Sequence, residues 1–261
     1  MESRLLTETE ALGLKDSFHT PFPVINAVLS GKQDGKIYSI QNCFFVLHKS
    51  GFAYCRAAGP DVDYNKLVEF LFLQNDLPQY FHIYDAHPVL CEAFIEDDKN
   101  VKVKMRKRVQ LKFPVATLPV AATILPAEFY MERVTANNFS ALTGFNLQLG
   151  NKFWSSAEDF LQNGFGFAIF AAGGQAVSIC YAASVAGNVA EIDVATVAAY
   201  RQKGFAKKAV REFLNHCIQN NISANWDCFE DNIGSLNTAK SLGFERVKAY
   251  NFLSIYKIFS S

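Results

Sequence analysis

The chain has 261 residues, 50% hydrophobic and 14% aromatic with 24 Phe, enough apolar surface for a full core without disulfide staples. Lys+Arg and Asp+Glu both number 25, so the net charge is zero; nothing draws the whole chain to nucleic acid or an anionic membrane, and any basic site has to be local. Six scattered cysteines (Cys43, Cys55, Cys91, Cys180, Cys217 and Cys228) form no CxxC pair, as expected of reduced thiols in a cytoplasmic protein. The polar, acidic start MESRLLTETEALGLKDS has no signal-peptide core, and the apolar run PVATLPVAATILPAEF, broken by Pro119 and Pro126, is too short to span a bilayer.

In chain order, IYSIQNCFFVLHK and GFAYCRAAG read as two strands, DYNKLVEFLFLQN as a helix, QYFHIYD as a strand and HPVLCEAFIED as a second helix. VKVKMRKRVQLKF closes this half. Its Val101, Val103 and Met105 alternate with Lys102, Lys104 and Arg106, as in a half-buried edge strand whose lysines deter aggregation. A nucleic-acid surface would need interleaved aromatics and a basic surplus elsewhere, and both are missing. Residues 113–127 then place three prolines in fifteen positions with almost no charge, an extended connector. The expected domains are therefore 1–120, a smaller α/β domain, and 121–261.

Downstream, FYMERVT is a strand, followed by two short helices, ANNFSALTGFNLQL and SSAEDFLQNG; Ser155 or Ser156 caps the second and Asn163-Gly164 ends it. Phe165, Phe167 and Ile169 alternate along a strand, Gly173-Gly174 turns into QAVSICYAASV, and Gly187-Asn188 turns into VAEIDVATV. In the next helix Ala206, Ala209, Val210, Phe213, Leu214, Cys217 and Ile218 recur at three- and four-residue intervals. SANWDCFED is a strand, and IGSLNTAKSLG a short helix with Asp231 or Asn232 as N-cap and Gly243 just past its end. ERVKAYNFLSIYKIF is a final strand or hairpin. The result is an α+β domain, a mixed sheet with helices on both faces. The upstream half echoes the end of this order, but Gly59-Pro60 stands where the downstream half has its glycine loop, so it reads as a diverged repeat without a cofactor loop.

The most informative segment is Tyr200-Arg201-Gln202-Lys203-Gly204-Phe205-Ala206, between a strand and an amphipathic helix. A glycine turn there leaves first-turn amides without intrahelical partners. Those amides, the helix dipole, Arg201 and Lys203 make a cradle for a multiply charged phosphate; an ordinary strand–turn–helix corner fits the loop equally well. Glu191 and Asp193, two apart on one strand, project to one face, where like charges raise each other's pKa and one could act as a base; the alternative is surface pairing with lysines.

Residues Arg201 to Ala206 match Arg/Gln-x-x-Gly-x-Gly/Ala, and Asn232, Ser235 and Gly243-Phe244 match Asn-x-x-Ser/Ala followed by Gly-Phe. With this spacing, residues ~128–261 resemble the GNAT superfamily of N-acetyltransferases. The pieces FLQNGFGF, EIDVAT, YRQKGFA, WDC and AKSLGF resemble its bacterial branch with an extra N-terminal domain, the zwittermicin A resistance-type acetyltransferases. The resemblance implies a GNAT-type, mostly antiparallel sheet and acetyl-CoA as cofactor. Ala195, Thr196 and Val197 would then pair with the pantetheine arm, Gln202, Lys203, Gly204, Phe205 and Ala206 would take the pyrophosphate with Arg201 and Lys203 as counter-charges, and Asn232 and Ser235 would touch the cofactor from the far side. Glu191 would be nearest to the superfamily's base.

This reading is of an acetyl-CoA-dependent N-acetyltransferase acting on the primary amine of a small molecule, with no nucleic-acid or membrane partner; a homodimer is left open. The alternative is a CoA- or acyl-CoA-binding regulatory module without transfer, because the tyrosine that many members place four residues before Gly-Phe is Ala239 here. Aminoacyl transfer from charged tRNA fits poorly with neutral charge and a retained cradle. Cys228 reads as a structural thiol rather than a nucleophile, and His19, His48, His82, His87 and His216 lack metal-ligand spacing, so no metal is expected.

Overall fold

The computed structural model describes residues 4–14, 18–57, 62–73, 76–93, 101–114, 124–140, 145 and 152–258. Contacts divide the chain into two compact units, Met1–Arg108 with Ala249–Ser261, and Val109–Lys248. The proline-rich connector, whose residues 115–123 lie outside the described residues, falls within the sequence span of the second unit. Most of the expected helix ANNFSALTGFNLQL, together with Gly59-Pro60, also lies outside them.

The first unit runs β1 (Arg4–Leu5), α1 (Glu8–Leu14), α2 (Pro23–Leu29), β2 (Gly35–Ile40), β3 (Cys43–His48), β4 (Phe52–Ala57), α3 (Tyr64–Leu73), β5 (Tyr80–Tyr84) and α4 (Pro88–Ala93). The stretch IYSIQNCFFVLHK is a hairpin, not one strand. Ile40 pairs with Cys43, so Gln41 and Asn42 form a two-residue corner, with Gln41 in the left-handed region at φ 51°. No glycine marks this turn, which hides it in an apolar run. Sheet order is β1–β2–β3–β4–β5; the first three pairings are antiparallel and β4–β5 is parallel. A strand from the end of the chain, β12 (Glu245–Lys257), then pairs antiparallel with β5. Its Leu253 and Ile255 enter a core with Tyr38, Phe45, Phe70 and Phe81.

The second unit takes its first strand from the end of β6 (Val101–Lys112), followed by β7 (Phe129–Arg133), α5 (Ala157–Asn163), β8 (Gly166–Ala171), β9 (Ala176–Ala186), β10 (Val189–Thr196), α6 (Phe205–Gln219), β11 (Ser223–Phe229) and α7 (Ile233–Ser241). Strand order is β6–β11–β10–β9–β8–β7, antiparallel from β7 to β10 and parallel between β10 and β11. The same run of senses, three antiparallel pairs and then a parallel one, occurs in the first unit, so the diverged repeat read from element order is present in the pairing as well. β6 has hydrogen-bonded neighbours on both sides. As a whole strand β6 is therefore not an edge; Val101 and Val103 are partly buried and Lys102 and Lys104 exposed, as the alternation implies, but Met105 is 50% exposed.

Local chemistry sets the element ends. The Ser156 hydroxyl accepts from the Asp159 amide at 3.0 Å and caps α5. The Asn232 side chain accepts from the Ser235 amide at 3.1 Å and caps α7. The stripe of α6 buries Phe205, Ala209, Val210, Phe213, Leu214 and Cys217 against the sheet; Ala206, expected in it, is only half-buried, because the stripe starts one residue earlier. On the opposite sheet face Phe160 of α5 packs near the Tyr181 ring. Helices therefore cover both faces, as expected.

Candidate functional site

Strands β10 and β11 share only three rungs, Val189 with Ser223, Ala190 with Ala224 and Glu191 with Asn225. Beyond them β10 continues on its other side along β9 as far as Thr196 with Ser178, after a one-residue register slip between Glu191 and Ile192. The edge of β10 that faces β11 is therefore released from Ile192 onward. A cavity of about 500 Å³ lies there, lined by Phe145, Val194, Ala195, Thr196, Val197, Ala198 and Arg201. Three of the residues expected to meet a pantetheine arm, Ala195, Thr196 and Val197, thus share one cavity with Arg201.

Not all of their main-chain groups are open. The Val197 amide donates to the Val177 carbonyl at 3.0 Å, on the β9 side. The Ala195 carbonyl accepts from Ser178 Oγ at 3.1 Å, and the Thr196 carbonyl from Arg201 Nε at 3.2 Å. Each carbonyl keeps a second lone pair. The Ser178 and Thr196 hydroxyls lie 2.8 Å apart and hold this corner together. Arg201 is thus fixed against the end of β10.

The loop that follows is built for its glycine. Gln202 has φ 62° and Gly204 φ 78°, two left-handed residues on either side of Lys203. A β-carbon on Gly204 would meet nothing within 4 Å, so the demand for glycine comes from the backbone angle and the space beside it is open. Gly204 is the N-cap of α6, no side chain caps that end, and no acidic residue sits in the first turn. Lys203 places its ammonium 5.2 Å from the centre of the Tyr200 ring, and Lys208 donates from its ammonium to the Ile124 carbonyl. An uncapped helix start, open space at the glycine and exposed Arg201 and Lys203 suit a diphosphate. The residues present fit the cofactor that the motif implies.

Asn232 and Ser235, expected to touch the cofactor from the far side, also have local partners. Asn232 caps α7, and Ser235 Oγ accepts from Trp226 Nε1 at 3.0 Å. Both side chains hold the start of α7 against β11.

The two carboxylates do share a face. Ala190 and Ile192 join the core under α6, so Glu191 and Asp193 point away from it. Their surroundings differ. Asp193 accepts from the Tyr181 hydroxyl at 2.7 Å and from Lys152 at 3.3 Å, and its side chain is 26% exposed. Burial, with the Asp193 charge behind it, pushes the Tyr181 phenol well above its usual value. Glu191 is 7% exposed and accepts from Nδ2 of Asn225, its partner on the last rung. Each carboxylate is thus tied to its own neutral or cationic partner. Lys152 and Asn225 escaped the sequence reading. The available signal was Asn225, a lone amide in a strand of otherwise mainly apolar residues.

Ala239 is fully buried in the core, Tyr250 belongs to the first unit, and the Tyr181 hydroxyl is committed to Asp193. Tyr200 stands beside the cradle, edge-on to Phe129 at 5.9 Å. Cys228 is buried, and Cys217 is pushed up to about 12 by burial, which leaves it unreactive.

The model of a family described as GNAT acetyltransferase matches residues 21–253. An uncharacterized N-acetyltransferase of Bacillus subtilis (strain 168), YdfB, is 26% identical over 255 residues, covering 94% of this chain and 95% of its own. A GCN5-related N-acetyltransferase-like protein from Streptococcus suis 89/1591 superposes with a TM-score of 0.70 at 20% identity, covering 95% of this chain and 99% of its own. A tandem GNAT protein from the clavulanic acid biosynthesis pathway superposes with a TM-score of 0.66 at 11% identity, covering 100% of this chain and 99% of its own. At those identities the two structures speak to the fold alone.

Proposed function

This chain belongs to the GNAT acetyltransferase family, and from there we propose that it transfers an acetyl group from acetyl-CoA directly to the primary amine of a small molecule. The observation that carries the reading is the left-handed Gly204 at the uncapped start of α6, beside the cavity at the end of β10. We place the chain in the bacterial branch with an extra N-terminal domain, and in the cytoplasm, where buried thiols such as Cys180 and Cys217 stay reduced.

Amides of Gln202 to Ala206 would hold the diphosphate with Arg201 and Lys203 as counter-charges, and the free edge of β10 at Ala195 and Thr196 would run beside the pantetheine arm. Bound acetyl-CoA supplies the activated thioester. The chain's own work is positioning and proton handling. An amine free in water is mostly protonated at neutral pH, so a carboxylate must take a proton from it. Glu191, 7% exposed and held by Asn225, is better shielded than Asp193 for that task. Asp193, held by Lys152 and Tyr181, serves the local field. Asn232 and Ser235 would act by fixing the start of α7.

Acetyl-CoA is expected to raise the melting temperature of the full chain, and Gly204→Pro to abolish that rise, because proline cannot adopt a positive φ. Thiol release should then appear on part of a panel of amines, polyamines and amino-bearing antibiotics. Absence of any shift at millimolar acetyl-CoA would sink the reading. The buried Ala239 favours one rival, a CoA-binding regulatory module, which predicts the thermal shift without thiol release on any amine.

A further inference from the structure

Beside Glu191 on the face turned away from α6 lie two buried polar side chains with atoms that lack a partner. Asn225 is 1% exposed and Ser184 is 0% exposed. Asn225 lies opposite Glu191 on β11, and Ser184 lies opposite Glu191 on β9. Ser184 turns to that face because its neighbour Val185 packs into the core on the other. Asn225 Oδ1 and Ser184 Oγ are buried without a hydrogen-bond partner among the described residues.

The orientation of the amide follows from chemistry. An ionised carboxylate only accepts, so the Asn225 group that meets Glu191 has to be its NH2, which leaves Oδ1 as the spare atom. Buried oxygens are rarely left unsatisfied in folded proteins, and each such vacancy is destabilising unless a ligand or water meets it. Two of them flank one carboxylate at the last rung, where β10 and β11 part. All three side chains can accept, Glu191 and Asn225 Oδ1 by acceptance alone and Ser184 through a hydroxyl that can also donate.

We propose that Asn225 and Ser184 are positioning residues for the acceptor amine, Asn225 by orienting the Glu191 carboxylate and both by offering an oxygen to the amine's N–H groups. The inference rests on the transferase reading above and adds to it two residues that bind the acceptor and not the cofactor. A protonated amine would enter donating to this row and first lose one proton to Glu191, which frees the nitrogen lone pair; as the C–N bond to the acetyl carbon forms, the thioester C–S bond breaks, and the CoA thiolate leaves with a second proton from the nitrogen, while the last N–H stays held by a flanking oxygen.

The test uses the full chain with Ser184→Ala, Ser184→Thr and Asn225→Ala, and as probe the amine of the panel that releases thiol fastest. Ser184→Ala should raise the KM for the amine by roughly 10-fold, the loss of one hydrogen bond to a charged group, and leave the KM for acetyl-CoA unchanged. Its melting temperature should hold or rise, because an unsatisfied buried hydroxyl has been removed, and Ser184→Thr should restore the amine KM. Asn225→Ala should lower kcat as well, since Glu191 loses its orienting donor. Ser184→Ala with an unchanged amine KM overturns the proposal, as does a crystal structure of the acceptor complex in which protein donors satisfy both oxygens. If acetyl-CoA binds but no amine is acetylated, the transferase reading gives way to the regulatory module and the proposal falls with it. If acetyl-CoA causes no thermal shift at all, the failure belongs to the transferase reading.

Discussion

Individual residues in this chain owe their chemistry to burial more than to sequence neighbours. His82 shows this in the first unit. Its ring contacts Ser254 Oγ at 2.9 Å and stacks near Phe52 and Phe252. Burial, with the Arg108 charge behind it, pushes its pKa down to about 4. The unfolded chain therefore takes up this proton first as the pH falls, so the stabilisation present above about pH 6.5 is lost progressively between there and about pH 4. Urea midpoints measured over that window should fall more steeply for the parent chain than for His82→Gln; equal slopes would refute the assignment. The thiols follow the same rule. Burial pushes Cys217 up to about 12 and Cys180 well above the usual thiol range. Iodoacetamide at pH 8.5 should leave both unlabelled in the native protein and label both in urea, as read by peptide mass spectrometry. The catalytic candidates were readable only in part. Glu191 and Asp193 could be placed on one face by strand periodicity, but nothing in the string EIDVAT tells that Tyr181 and Lys152 engage one and Asn225 the other.

At the level of elements, the second unit was legible almost throughout, because its punctuation is strong. Gly174, Gly187, Gly204 and Gly243 all have positive φ, and each lies at a turn or helix end that the sequence marks. Ser156 capping α5 belongs to the same class of signal. Ser156→Ala should cost about 1 kcal/mol in chemical denaturation, with little change in acetyl-CoA binding; a cost near zero would show that Ser155 or Asp159 replaces the cap. The turn at Gln41-Asn42 went unread because it carries no glycine or proline within a run of large apolar residues. The parallel contact of β10 with β11 is a different case. A sequence shows two strands and a helix between them, and right-handed crossover makes parallel pairing the natural outcome. That the pairing stops after three rungs is set by how each strand binds its other neighbour.

Across the whole molecule the two units do not follow a single cut in the chain. The core of the first needs Leu253 and Ile255, and the core of the second needs Val109, Leu111 and Phe113. Fragments 1–120 and 121–261 each lack one of these strands and expose the sheet edge it would cover. Neither fragment alone should melt cooperatively by circular dichroism, whereas co-expression should yield a complex that does. Cooperative unfolding of isolated 121–261, at the melting temperature of the full chain, would show the strand to be dispensable. Among the described residues no helix is long and apolar enough to cross a membrane.

The sequence by itself determined what depends on local stereochemistry: the order of strands and helices in the second unit, the glycine loop at 201–206 and the motif that marks the family, since turn angles, capping and period are properties of a few consecutive residues. Only the tertiary structure decided which strand completes which unit and which of two adjacent carboxylates is buried. It alone brought Asn225 and Ser184 to either side of Glu191. Those outcomes depend on side chains tens of residues apart competing for the same space, and no periodicity along the chain records who wins.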